Sequence, residues 1–452
     1  MATEEGTKRT RSESAVSTDA QQSHLAEDII EEILLRLPAK SLLRCRAVCR
    51  AWRRAASDPR FLAAHARLRP AEPVLYTYLD APRCDNRPRY DDAVDIALDV
   101  LPVDNGGEAA CRRLIRYPKL WTTAKTTTTT SRFIAIADVE GGQHRSKDMA
   151  LHCLLLASCD GVLLFKKARG LYLLCNPVTR QWAELPRLDL QQLDPGYDVE
   201  FAFYFHQPSG EYRLLCNHLT LSGTMAWCIL ATGAAEPRRV NTHAEEEGFV
   251  VPSCLRTAAS APAALHGRLH WAPRLDMFNG DKITCTKVVT FDTLSEKFHT
   301  MTGPPTTTST LLKLFVTDGV IVVADFEKTT HVDLWFLEDY GAEKWERRHQ
   351  VAMPWGGLDA FSGNFRPPEV AQGDDQGNVV LRGHGGLVVY NVRRKKTVRA
   401  VRGSKVLMSR HGFRESLVQH PSFVDIPVTA DFPLVHFWTA GGQRMFAAVE
   451  SN

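Results

Sequence analysis

The sequence predicts a small all-α domain at residues 24–69 followed by a large all-β domain at residues 70–452, after a tail at residues 1–23. Three observations lead there. Apolar residues recur at helical spacing from Leu25 to Leu68. Beyond that point the helical period disappears, and short runs of Val, Leu, Ile, Phe and Tyr alternate with Gly, Pro, Asp and Asn turns. Those runs also repeat, which a single sandwich or barrel does not require.

Residues 1–23 are polar, charged and rich in serine and threonine, so they read as a disordered tail. The segment has no apolar secretory core, and no run approaches the roughly 18 apolar residues a membrane span needs. Together these lead to the expectation of a protein of the cytoplasm or the nucleus, with no membrane partner. Lys8, Arg9 and Arg11 fit a weak nuclear import signal, or a solvated tail with no message. The chain has 452 residues, 44% hydrophobic and 24% charged, which is enough for two or three ordinary domains. A net charge of +3 selects no class of partner. Eleven cysteines without a short repeating spacing suit reduced thiols better than a disulfide framework. No Cys-x-x-Cys pair points to zinc.

The first helix carries Leu25, Ile29, Ile30, Ile33, Leu34 and Leu37 until Pro38 stops it. Leu42, Leu43, Ala47 and Val48 mark a second, with Ser41 near its start; Cys49, Trp52, Ala55 and Ala56 mark a third. Asp58 then Pro59 read as an N-cap with proline at the first helical position, opening a fourth segment through Phe61, Leu62 and Leu68. Three short helices in about 40 residues are near the lower size limit for independent folding. The Ile29, Ile30, Ile33 and Leu34 stripe is wider than a helix hairpin covers, which leaves part of it for a partner. From Arg36 to Arg69 ten Lys or Arg stand against one acid, Asp58, so an acidic partner is steered to this face. The pattern alone fits equally a self-contained helix pair with a solvated basic face.

Read in order, these residues give Leu25, an acidic pair, Ile29-Ile30, Ile33-Leu34, Arg36-Leu37-Pro38, Lys40-Ser41-Leu42-Leu43-Arg44, Val48-Cys49-Arg50-Ala51-Trp52 and Asp58-Pro59-Arg60-Phe61. The segment resembles an F-box. The resemblance implies docking on the Skp-type adaptor of a Skp, cullin and F-box ubiquitin ligase. It puts Leu25, Ile30, Ile33, Leu34, Leu37, Pro38, Leu42, Leu43, Val48, Cys49 and Trp52 at or just behind the docking surface. One departure is Leu25-Ala26, where the family usually has Leu-Pro; this loses a preset first turn and keeps the apolar anchor.

In the β region one unit spans residues 157–186, with a turn at Asp160-Gly161, strands at Val162–Phe165 and Leu171–Cys175, a turn at Asn176-Pro177, then Thr179 and Trp182. Similar units occupy residues 264–298, 314–345 and 374–398. Weaker strands are Val74–Leu79, Phe133–Ala137, Glu200–Phe205 with Tyr212–Cys216, Trp227–Ala231 and Val435–Trp438, and the Thr-rich stretches at 126–130 and 306–308 read as loops. Sheets stacked around an axis cover each other's faces and leave only short outer edges, with Trp182, Phe298 and Trp345 wedged between neighbours. The region resembles the kelch-like β-propeller, the F-box-associated domain, that follows the F-box in plant F-box proteins. At about 40 to 50 residues per blade, six to eight blades are expected, and a β-sandwich pair is the structural alternative.

Nothing in the chain has the spacing of a catalytic motif: no HExxH, GxSxG, Walker loop or GxGxxG is present, so no catalytic, metal or cofactor-binding residue is assigned. Gly383-His384-Gly385-Gly386 reads as a hairpin turn, and Asp91-Asp92 and Asp374-Asp375 as solvated loops. The basic run Arg393 to Lys396 also reads as a turn; with no aromatic platform beside it, nucleic acid is not an expected partner. The expected function is a non-catalytic substrate receptor that holds a Skp-type adaptor, and through it a cullin, with the helical domain and a target protein with the β domain. Specificity would lie in loops such as 83–92, 243–252, 276–282 and 356–368. Two other readings remain: a sugar-binding or oxidising kelch-like module with a degenerate F-box, and an inhibitor that sequesters the adaptor.

Overall fold

The computed structural model describes residues 27–79, 95–102, 111–118, 154–168, 170–188, 193–220, 225–240, 262–278, 281–285, 287–305, 311–328, 330–353, 369–371, 376–383, 386–402, 407–425, 436–438 and 444–446. The expected tail, the strand at 133–137, both Thr-rich stretches, both acidic pairs and His384 lie outside them.

Four helices come first: α1 (Glu27–Arg36), α2 (Ala39–Cys45), α3 (Arg50–Ala55) and α4 (Pro59–Leu68). Asp58 caps α4 as its sequence predicts, accepting from the amides of Arg60 at 2.8 Å and Phe61 at 3.0 Å. The second helix is shorter than expected, and Ala47 and Val48 fall in the turn after it. The reason is local: Cys49 is extended, at φ −154°, so that its Sγ can accept from the Trp52 amide at 3.5 Å and start α3. No helix among the described residues is long and apolar enough to cross a membrane.

Most of the other described strands form a six-bladed β-propeller, and two strand pairs, Arg274–Phe278 with Asp281–Cys285 and His436–Trp438 with Arg444–Phe446, lie outside its blades. Blade 1 is made of Leu407–Arg414, Ala71–Leu79, Asp95–Val100 and Arg112–Pro118, from axis to rim. Blade 2 runs Leu154–Cys159, Val162–Ala168, Leu171–Asn176, Gln181–Glu184, and adds Val424–Asp425 at its rim. Blade 3 runs Leu193–His206, Glu211–Thr220, Met225–Ala231, Arg238–Arg239. Blade 4 runs Ala263–Leu265, Arg268–Trp271, Lys287–Asp292, Lys297–Thr302, and blade 5 runs Leu312–Thr317, Val320–Asp325, His331–Asp339, Lys344–Ala352. Blade 6 is Glu369–Ala371, Asn378–Gly383, Gly386–Asn391 and Lys396–Arg402. A late strand therefore completes the first blade: Leu407–Arg414 pairs antiparallel with Ala71–Leu79 and sits between the axial strands of blades 2 and 6.

Each junction between blades has its own apolar core, and that explains the sequence pattern. Second and third strands are covered on both faces, so they read as unbroken apolar runs such as Gly386–Asn391, buried throughout. Rim strands such as Lys344–Ala352 are mostly exposed. Trp182 joins the core between blades 1 and 2, Phe298 that between blades 3 and 4, and Trp345 that between blades 4 and 5. The Trp345 Nε1–H also donates across the junction to the Thr302 carbonyl at 2.8 Å.

The turns repeat as well. Asp160-Gly161, His266-Gly267 and Asp318-Gly319 join first to second strands with positive φ at both residues, the geometry a two-residue hairpin needs. Third and fourth strands are joined through an Asn or Asp whose Oδ1 holds the following amides: Asn176 those of Val178 and Thr179, Asp292 those of Leu294 and Ser295, Asp339 those of Gly341 and Ala342, and Asn391 that of Arg394. Arg393 to Lys396 thus belong to such a turn, and the Arg393 Nε donates to Asp318 of blade 5 at 2.9 Å.

Antiparallel order puts both kinds of tight turn at one end of the propeller and the connections between second and third strands, or between blades, at the other. The strand ends joined by segments 80–94, 241–261 and 354–368 all lie at this second end. So does the segment read as a loop at 276–282, which is instead a two-stranded arm, Arg274–Phe278 with Asp281–Cys285.

Several histidines are structural. His270 donates from Nδ1 to the Ala263 carbonyl (3.2 Å) and takes the Tyr340 hydroxyl at Nε2 (2.9 Å), and burial lowers its pKa from 6.5 to about 4. Burial likewise lowers His420 to about 4 and His411 to about 3. These rings are neutral in the fold, whereas the unfolded chain takes up protons below about pH 6.5. Their contribution to stability is therefore complete above pH 6.5 and lost as pH falls towards 4. The slope reaches about 1.4 kcal/mol per pH unit for each histidine. Denaturant unfolding at pH 7.5, 6 and 5 should show this loss; a midpoint constant across that range would contradict it.

Candidate functional site

The helical domain divides its apolar residues into two sets. Ile30 and Leu34, four apart on α1, turn inward with Ala39, Leu42, Ala56, Phe61 and Leu62 into one core, which Leu35, Leu37, Cys45, Trp52 and Ala55 flank. Ile29 and Ile33, also four apart, turn outward at 47% and 43% exposure. Leu43 on α2 is 38% exposed, Val48 63%, and Pro38 and Cys49 are exposed beside them in sequence.

Of the residues singled out from sequence, Ile33, Pro38, Leu43, Val48 and Cys49 are thus at the surface, and Ile30, Leu37 and Trp52 are partly covered. Leu34 and Leu42 are fully buried and can act only from behind. Leu25 lies outside the described residues. Ile29 stands outside the set that the F-box resemblance names, although it lies on the same stripe, and its spacing from Ile33 is the signal that adds it.

The end of α1 is held by two basic side chains. Arg69 donates to the carbonyls of Leu37 at 3.0 Å and Leu35 at 2.9 Å, and the buried His65 donates from Nε2 to the Leu37 carbonyl at 2.7 Å. These carbonyls are the orphan acceptors of a helix C-terminus, where positive charge is favourable. Burial lowers the His65 pKa, so the ring serves as a neutral donor and Arg69 carries the charge. Arg46 and Arg53 are likewise engaged with backbone carbonyls, those of Ala56 and Arg46. Lys40, Arg44, Arg50, Arg54, Arg60 and Arg67 remain exposed on α2 to α4, while the exposed Glu31 and Glu32 flank Ile33 on α1. The helical domain thus exposes four apolar side chains, with acids beside those on α1 and mostly cations on α2 to α4. Covering a half-exposed Ile or Val is worth about 1 kcal/mol, so several are needed together.

A model of the F-box domain matches residues 23–63, and a model described as the F-box associated beta propeller domain matches residues 126–366, more than half of the chain. The chain belongs to the F-box associated β-propeller family. The family match covers blades 2 to 5, and blades 1 and 6 complete the ring outside it. Among curated relatives, F-box protein At3g07870 of Arabidopsis thaliana is 24% identical over 356 residues, 72% of either chain. F-box/LRR-repeat protein At2g43260 of the same plant is 23% identical over 347 residues, 72% of this chain and 67% of the relative. F-box protein At3g22700, also from that plant, is 45% identical over 53 residues, 12% of this chain and 16% of the relative. The α1–α4 segment is the F-box of this family member.

Proposed function

We propose that the protein is the substrate-recognition subunit of a Skp, cullin and F-box ubiquitin ligase, acting in the cytoplasm or nucleus. The observation that carries this is the set of outward apolar side chains Ile29, Ile33, Leu43 and Val48 on the F-box of a chain from this family. Ile33, Pro38, Leu43, Val48 and Cys49 make the contact, Ile30, Leu34, Leu37, Leu42 and Trp52 hold them from behind, and Leu25 joins them on the resemblance alone. The propeller end that carries the long connections receives the target protein. The chain does no covalent chemistry; it replaces a bimolecular encounter between target lysine and charged enzyme by an effectively intramolecular one.

The test has two stages. Purified full-length chain mixed with a recombinant plant Skp-type adaptor should elute as one complex, and separate elution would overturn the reading. A target found by proximity labelling should then have a shorter half-life with the full chain than with a chain lacking residues 24–69. An equal or longer half-life would identify an adaptor-sequestering inhibitor instead.

A further inference from the structure

The strap at residues 415–425 leaves the ring-closing strand, passes beneath the F-box and ends on the rim of blade 2. Most of its length is engaged. Glu415 accepts through Oε2 from the Ala39 amide at 3.3 Å and pairs through Oε1 with Arg112 at 2.7 Å. It thereby serves the start of α2, where Pro38 has no side-chain acceptor to offer. The Ser416 carbonyl accepts from Asn176 Nδ2 at 3.0 Å. Gly161, at φ +85°, is needed here, because a Cβ on it would lie 2.4 Å from that of Ser416. Leu417 and Val418, with Val178 from the Asn176 turn, enter the F-box core. Next, His420 stands edge-on against Tyr212, ring centres 4.8 Å apart. Phe423 enters the core between blades 2 and 3, and Val424 pairs with Trp182.

The covalent link from α4 to the first propeller strand is only the short peptide between Leu68 and Ala71. One such link leaves rotation about its dihedral angles. A second attachment removes it. We propose that this strap fixes the orientation of the F-box on the propeller, with Glu415 and Leu417 as positioning residues. The F-box core then rests at the tight-turn end, so adaptor and target are held at opposite ends with a set separation. The seating stands by itself; only its value for delivering a target rests on the function proposed above.

The test uses the full-length chain with Leu417→Asp and, from the propeller side, Val178→Asp. Both variants should widen the distance distribution in small-angle scattering and speed amide exchange in α2 and α4 at least tenfold. The strands of blades 3 to 5 should keep their protection, Leu417→Met should restore the original behaviour, and capture of a Skp-type adaptor should persist. Unchanged scattering and exchange in both variants would overturn the proposal. Protection lost throughout the blades, or capture lost with the helices, would also overturn it, by making the strap a folding element. Absence of capture by the unaltered chain would speak against the proposed function alone.

Discussion

Replacing Ile33 and Val48 together by aspartate will weaken capture of a Skp-type adaptor at least a hundredfold and leave the melting of the propeller unchanged. Both side chains already face water, at 43% and 63% exposure, so each substitution should cost the free chain no more than about 0.5 kcal/mol. In the complex each carboxylate would be buried against an apolar partner, at a cost of at least about 1 to 3 kcal/mol. At the middle of that range two such sites cost about 4 kcal/mol, more than the roughly 2.8 kcal/mol that a hundredfold change represents. Titration calorimetry on the full chain measures it, and an affinity within threefold of the original would remove these residues from the interface. Leu34→Asp is the contrasting control: that side chain is fully buried, so the variant should lose the F-box fold and capture together.

Ending the chain at Arg402 will abolish cooperative melting of the propeller. The deletion removes the axial strand of blade 1 and leaves Ala71–Leu79 with an unpaired edge facing blade 6. Met408 leaves the core between blades 6 and 1, Phe413 that between blades 1 and 2, and Leu417 and Phe423 leave two further cores. At about 1.5 to 3 kcal/mol for each fully buried side chain, the loss is about 6 to 12 kcal/mol, comparable with the whole stability of a typical domain. Circular dichroism on heating would show it, and the missing segment supplied as a peptide should restore the transition in part. A melting temperature within a few degrees of the intact chain would mean that the ring does not depend on this strand.

What the sequence made legible was local. Asp58 before Pro59, the stop at Pro38, the Asp-Gly and Asn-Pro turns and the aromatics after them all act within a few residues, and the structure has each where its chemistry requires. The division of the α1 stripe was only half visible, because periodicity names a face but not which neighbour covers it. Ring closure, the strap and the approach of Ser416 to Gly161 could not be read at all. Each depends on residues more than 200 positions apart, Gly161 against Ser416 or Ala39 against Glu415, and such pairs leave no local trace. The arm at 274–285 was missed for a different reason: Asp, Asn, Gly and Lys dominate its tip and mask a strand pair only five residues on each side.

The order in which the F-box core is completed has a consequence during synthesis. Leu34, Leu42 and Phe61 leave the ribosome early, yet Leu417, which shares their core, follows more than 350 residues later. At about 5 to 20 residues per second, that gap lasts roughly 20 to 70 s. Through that interval the nascent helices hold an uncovered apolar flank, a natural substrate for a chaperone or for premature engagement by the adaptor itself.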